Sequence, residues 1–232
     1  MKRFAAITVA AFGALLATAP GALATNPGST VPGPINCPPN VPGPETIDGD
    51  VVVRNGMSCV IAGAGDVVVT GNVTLGAGAT LTVGAGSTTT YTLIVGNLQA
   101  NNCGSVTLNP VQGFTRVGGN LQVQNCSGSN PNYSGMSRAF VIPNGGTVIG
   151  NFQCQNNTGG CFFLNSVVGG NVQVMSNQAG TKDASQVSGN DIKGTLQCQG
   201  NTIVGGGTSI VGGGNYIGGN DLQSSEGQCF GF

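Results

Sequence analysis

The chain has 232 residues, of which 42 are glycine and only 6% are charged, and it contains neither histidine nor tryptophan. A formal charge of −1 spread over so few ionic groups leaves no basic patch with which to hold nucleic acid. Without histidine, Ser-His and Cys-His nucleophile schemes are closed to it, and the eight cysteines have no histidine co-ligand for a mixed zinc site, so they predict disulfides.

Residues 1 to 24 read as a signal peptide. Lys2 and Arg3 form a basic start, an apolar run rich in Ala follows, and Ala22-Leu23-Ala24 is a small-residue cleavage site before Thr25. Pro20 and Gly21 interrupt the apolar run and no second apolar span follows, which predicts no membrane span in the mature chain. The expected location is secreted, either extracellular or associated with the cell envelope. Removal of the leader leaves five basic against eight acidic residues, a net charge of −3.

Residues 25 to 46 hold seven of the eleven prolines and read as an extended lead-in and N-terminal cap. The domain proper is expected over 47–232. Its organising feature is an octet opened by glycine, as in GNLQVQNC (119–126), which recurs from Gly49, Gly71, Gly96, Gly150, Gly170 and Gly194. Steps of 20 to 31 residues between these glycines are the period of a solenoid.

Within each octet the third and fifth residues are apolar: Val51 and Val53, Val73 and Leu75, Leu98 and Ala100, Leu121 and Val123, Phe152 and Cys154, Val172 and Val174, Leu196 and Cys198. Side chains alternate along a strand, so these face a core while the fourth and sixth residues face out. A second alternating run follows in most units, such as TLTV (80–83), SVTL (105–108) and FVIP (140–143). No stretch after residue 24 has a helical period. The predicted fold is all-β, a parallel β-helix of about seven to eight coils stapled by disulfides, stacked at about 4.8 Å per coil. Asn72, Asn97, Asn120, Asn151 and Asn171, each following the opening glycine, are expected to stack as an amide ladder, at a bend entering the left-handed region.

The coils resemble right-handed parallel β-helix proteins. The segments GGNVQV (169–174), GTLQCQGN (194–201) and GGNYIGGNDLQSSEGQC (213–229) are similar to a group of small exported bacterial proteins with GN-x-Q-C repeats. Over residues 47 to 229 that resemblance implies the fold and no assigned activity.

Candidate chemistry is sparse. The acids Glu45, Asp48, Asp50, Asp66, Asp183, Asp191, Asp221 and Glu226 share no column in neighbouring coils, whereas a polysaccharide lyase or hydrolase on this fold needs converging carboxylates. No catalytic residue, cofactor or metal is expected. GAGD (63–66) reads as an ordinary turn, and Lys182, Asp183, Asp191 and Lys193 as a solvated connection. Two features have the makings of a contact surface. One is the insertion SGSNPNYSGMSR (127–138), with Tyr133 and Arg138, residue types that anchor interfaces. The other is the outward column through Gln122, Gln153, Gln173 and Gln197, part of a flat polar lattice. The expected role is non-enzymatic: a monomer or weak lateral oligomer meeting a cell-surface glycan or envelope protein, with no nucleic acid. The alternatives are a polysaccharide-active enzyme and a glycan-binding module.

The repeat register also predicts cysteine pairs. Cys103 and Cys126 share the eighth position of consecutive octets, one coil rise apart and within bonding range, whereas Cys154 and Cys198, two coils apart at about 9.6 Å, are not. Cys154 is therefore assigned to Cys161, Cys198 to Cys229, and Cys37 to Cys59. Non-reducing peptide mapping should recover Cys103 joined to Cys126, and any other partner for Cys103 would break the register.

Overall fold

The computed structural model describes residues 30–32, 35–37, 45–61, 66–83, 91–108, 114–128, 138–142, 145–179, 185–203, 210–217, 225–227 and 229. The segment read as a signal peptide lies outside them. Among the described residues every regular element is a β-strand and every strand pairing is parallel, the arrangement of a β-solenoid.

Most coils contribute three short strands rather than two, and two of them add a fourth, Gln178–Ala179 paired with Thr202–Ile203. Strands such as Tyr91–Ile94, Leu98–Asn101 and Ser105–Leu108 enter a first, a second and a third sheet in turn. Among the described residues the first and second sheets stack nine strands each and the third stacks seven, giving seven coils in which all three strands are described. Pairing is in register with the repeat: Leu98 lies beside Leu121, which lies beside Phe152, and Gln99, Gln122, Gln153, Gln173 and Gln197 follow one another across the second sheet.

The octets supply the second sheet, and their third and fifth residues, from Val51 to Cys198, are all buried. The third sheet holds the second run of each unit, with strands at Thr80–Val83 and Ser105–Leu108. The first sheet is the unforeseen one. Some of its strands are as short as Val167–Val168 and Asp191–Ile192, too brief to show an alternation. Asp191, expected in a solvated connection, is therefore in a strand, and Lys193 just beyond it forms a 2.8 Å ion pair with it at the surface. The lead-in also departs from expectation. Thr30–Pro32 and Ile35–Asn36 extend the first and second sheets by one strand each, a place where Pro32 is tolerated because an edge strand has one side free of ladder bonds.

The core runs along the axis as columns of like side chains. Within it Phe140, Phe152 and Phe163, from two successive coils, stack with ring centroids 4.9 and 4.6 Å apart. Four disulfides join Cys37 to Cys59, Cys103 to Cys126, Cys154 to Cys161 and Cys198 to Cys229, with Cα separations of 5.7, 4.4, 6.5 and 5.2 Å.

The turns correct one expectation in full. The asparagines that follow the opening glycines do not enter the left-handed region. That conformation belongs instead to a column at the exit of the second sheet, Gly56, Gly78, Asn102, Asn125, Asn156, Ser176 and Gly200, and to a shorter one, Asn165, Gly189 and Gly214, between the third sheet and the first. Asparagine and glycine are the residues that pay least there. The opening glycines are required for a different reason, close approach: a Cβ on Gly96 would lie 2.6 Å from both the Asn72 side-chain oxygen and the Gly71 carbonyl of the coil before.

Because Leu121 is fully buried and its neighbour Gln122 is only half-buried, the two should respond differently to the same charge. Leu121→Asp buries an unpaired carboxylate and should cost several kcal/mol, whereas Gln122→Asp forfeits a surface hydrogen bond and should cost about 1 kcal/mol. Denaturant melts showing equal losses would contradict the inward-outward assignment.

Candidate functional site

Three amide ladders run along the solenoid, and their surroundings separate structure from surface. The outer ladder stands at the entrance to the second sheet. Asp50, Asn72, Asn97, Asn120, Asn151 and Asn171 each accept, through the side-chain Oδ1, the backbone N–H of the equivalent residue one coil later, at 2.7 to 2.9 Å. These N–H groups sit at a corner where the sheet ladder is broken, so the side chain replaces a lost backbone partner.

The second ladder is buried. Asn157, Asn177 and Asn201 are 0 to 1% exposed and occupy the eighth octet position, each directly after a left-handed residue. Here the direction reverses: Asn177 Oδ1 accepts from Asn157 N at 3.1 Å, and Asn157 Oδ1 accepts from Cys126 N at 2.8 Å. The amide nitrogens reach the same preceding coil, Asn177 Nδ2 donating to Cys154 O at 2.9 Å and Asn201 Nδ2 to Val174 O at 2.7 Å. Asn190 and Asn215 repeat the motif at the corner between the third and first sheets. Sequence reading missed these buried ladders, although Asn157, Asn177 and Asn201 close the octets opened by Gly150, Gly170 and Gly194. The dipeptide Gly-Asn thus has two meanings, a close-approach glycine with a half-exposed or exposed amide at 96–97 or 119–120, and a left-handed glycine with a buried amide at 189–190 or 200–201.

The third ladder covers the outer face of the second sheet. Gln122 Nε2 donates to Gln153 Oε1 at 2.8 Å, Gln153 to Gln173 at 2.9 Å, and Gln173 to Gln197 at 2.8 Å. Alongside, Gln124 donates to Gln155 at 3.5 Å, and Gln155 bridges across to Gln173 at 3.2 Å. The structure therefore brings Gln122, Gln153, Gln173 and Gln197 into one hydrogen-bonded column. Between this column and the outer asparagine ladder, Asn151, Gln153, Asn171 and Gln173 line a shallow polar recess of about 130 Å³.

The other expected contact feature is not assembled in this way. Tyr133 lies outside the described residues. Arg138 does not end a free loop but opens the strand Arg138–Ile142 of the third sheet, half-buried, with its guanidinium 3.9 Å above the centre of the Phe162 ring. That cation–π contact directs the side chain onto the protein itself. In the third sheet every residue of Ser105–Leu108 is buried.

The described acids are spread along the solenoid. Asp48 accepts from the Thr70 hydroxyl at 3.1 Å, Asp50 starts the outer ladder, Asp66 accepts from Tyr91 N at 3.1 Å, and Asp191 pairs with Lys193. Each carboxylate whose side chain is described caps a neighbouring N–H or hydroxyl or pairs with a lysine, and among the described residues no three Cys, Asp or Glu side chains converge to hold a metal ion. Among the described residues no helix is long and apolar enough to cross a membrane.

The burial of the ladders sets the order of their energetic weight. Asn177→Ala strands two buried backbone partners and should cost about 2 to 4 kcal/mol, whereas Gln153→Ala opens two solvent-side hydrogen bonds and should cost about 1 kcal/mol or less. Thermal unfolding of the two variants measures the difference, and a larger loss for Gln153→Ala would reverse the assignment of inner and outer ladders.

No protein-family model matches the chain, no curated protein is significantly similar to it in sequence, and no solved structure is significantly similar in fold.

Proposed function

We propose that this chain is an exported, non-enzymatic structural or surface-interaction protein that works by contact through the amide face of its second sheet. Four disulfides fit an oxidising environment outside the cytosol, and the leader-like residues 1 to 24 supply the route there. The kinship that agrees with this reading is with small exported bacterial right-handed β-helix proteins carrying GN-x-Q-C repeats.

One observation carries the proposal: the most regular exposed feature of the molecule is a rigid lattice of neutral amides, held by its own hydrogen bonds across the coils of Gln122, Gln153, Gln173 and Gln197. Each primary amide retains donor and acceptor capacity beyond the bond to its neighbour. A surface already ordered loses little side-chain entropy when it meets a partner, and one without charge suits a partner rich in hydroxyls and amides, a cell-surface glycan or an envelope protein. The chain acts as a monomer or a weak lateral oligomer, because the amide face presents about five rows at about 4.8 Å spacing, less area than the ~800 Å² per partner of a stable complex.

Two measurements test this. Purified protein lacking residues 1 to 24, incubated with a panel of polysaccharides, should release no reducing ends and no unsaturated products. Saturable release that disappears on Asp50→Asn or Asp66→Asn would make it an enzyme instead. Binding to isolated envelope material should weaken severalfold in the double variant Gln153→Ala, Gln173→Ala with its unfolding temperature little changed, and undiminished binding would move the contact to another surface.

A further inference from the structure

The first sheet turns a different surface to solvent. Its outward column runs in register through Val68, Leu93, Arg116, Thr147 and Val167, flanked by Tyr91 and Phe114 on one side and by Val95 and Ile149 on the other. Phe114 is 42% exposed, Val95 48% and Ile149 44%, large side chains that the neighbouring coils do not cover. Neighbouring exposed apolar groups mark a contact surface more often than isolated ones do, and here an arginine stands among them.

Three features narrow that surface to a site. Tyr91 and Phe114 are paired on adjacent strands, and their rings stack with centroids 5.9 Å and planes 5° apart. Strands succeed one another along the solenoid axis, so the face of Phe114 turned away from Tyr91 looks toward the next coil. The residue there is Gly145, which precedes the Gly146 that pairs with Thr115, and it sets no side chain against the ring. Gly145 is also fixed as glycine, since its φ is 89° and a Cβ would lie 2.8 Å from the Asn165 carbonyl. Arg116 follows on the same strand and the same side as Phe114, about 6.6 Å away. It is exposed, and among the described residues it forms no salt bridge.

We infer that the Tyr91-backed ring of Phe114 and the guanidinium of Arg116 form a binding site for an acidic sugar ring, a uronate unit of an acidic polysaccharide. The electron-rich face of Phe114 suits the slightly positive C–H face of a pyranose, while the guanidinium fork matches a carboxylate in two-point geometry. A ring alone would accept any apolar group and an arginine alone any anion. Their spacing selects a ring that carries its charge about one ring width away. The Thr147 hydroxyl, beside Arg116 in the outward column, is placed to meet a sugar hydroxyl. Contact here is local, because the net charge of −3 left after removal of the leader disfavours long-range attraction of a polyanion, and added salt weakens it further. The assignment rests on the reading of the chain as a contact protein, on a face separate from the amide lattice.

Affinity electrophoresis of the chain from Thr25 onward through gels containing alginate, neutral dextran or dextran sulfate tests the site. The expected result is retardation by alginate and not by dextran, weakened roughly tenfold by Arg116→Gln and strongly by Phe114→Ser, with Gln153→Ala without effect and the melts of both exposed-site variants unchanged. No retardation by alginate overturns the inference, as does retardation that survives both substitutions. Equal retardation by dextran sulfate that ignores Phe114→Ser also overturns it, as simple ion exchange. Self-association lost in Phe114→Ser, without alginate binding, would make the face a protein contact and overturn it as well. Cleavage of alginate by protein whose retention still depends on Arg116 would support the site while refuting the non-enzymatic reading.

Discussion

The structure depends on satisfying the backbone at its corners. Along the strands, each N–H and C=O finds a partner one coil away, but a three-sided coil must turn, and at each turn some N–H groups lose their ladder partner. An unpaired buried N–H costs on the order of 1 to 3 kcal/mol, and seven coils repeat the problem many times. Asparagine solves it because its short side chain ends in a carbonyl that reaches one coil along the axis, from Asn120 to Asn151 N or from Asn177 to Asn157 N. The glycines follow from the same constraint, since coils that approach closely enough for this reach leave no room for a Cβ at Gly96 or Gly150.

Seen this way, the scarcity of charge and the abundance of amides are one property. A carboxylate accepts but cannot donate, so Asp50 can receive both the N–H and the amide of Asn72, but in mid-ladder it would lack the Nδ2 that Asn97 and Asn151 direct to the rung before. A primary amide does both. The buried ladder shows the same economy in its exchange with sulfur: the eighth octet position holds the bonded pair Cys103 and Cys126, then continues as Asn157, Asn177 and Asn201, with Asn157 capping Cys126 N directly. Covalent and hydrogen-bonded links thus occupy successive rungs of one column.

The legible part of the fold was the part with two-residue alternation and a fixed register. Leu121 and Val123 inward with Gln122 and Gln124 outward could be read from the octet, and so could the one-coil spacing of Cys103 and Cys126. What escaped was short or ambiguous. Val167–Val168 and Asp191–Ile192 are too brief to alternate, and their membership of the first sheet is fixed by neighbours 20 or more residues away. Gly-Asn reads the same at 119–120 and 200–201, yet only the second pair has a left-handed glycine and a buried amide, because the dipeptide does not record which side of the strand the corner lies on. The stacked rings of Tyr91 and Phe114 were invisible for the same reason, lying 23 positions apart on strands whose alignment only the first sheet reveals.

The opposite directions of the two ladders bear on how such a molecule can change length. In the outer ladder each coil caps the one that follows, while in the buried ladder each caps the one before. From the coil of Cys126 to that of Asn201 each boundary carries both links, so a coil copied into that stretch would find both neighbours already equipped for it. Among the described residues the outer series runs from Asp50 to Thr195. A duplication between them would leave those residues in place, so the number of coils could change while the first and last rungs stay the same.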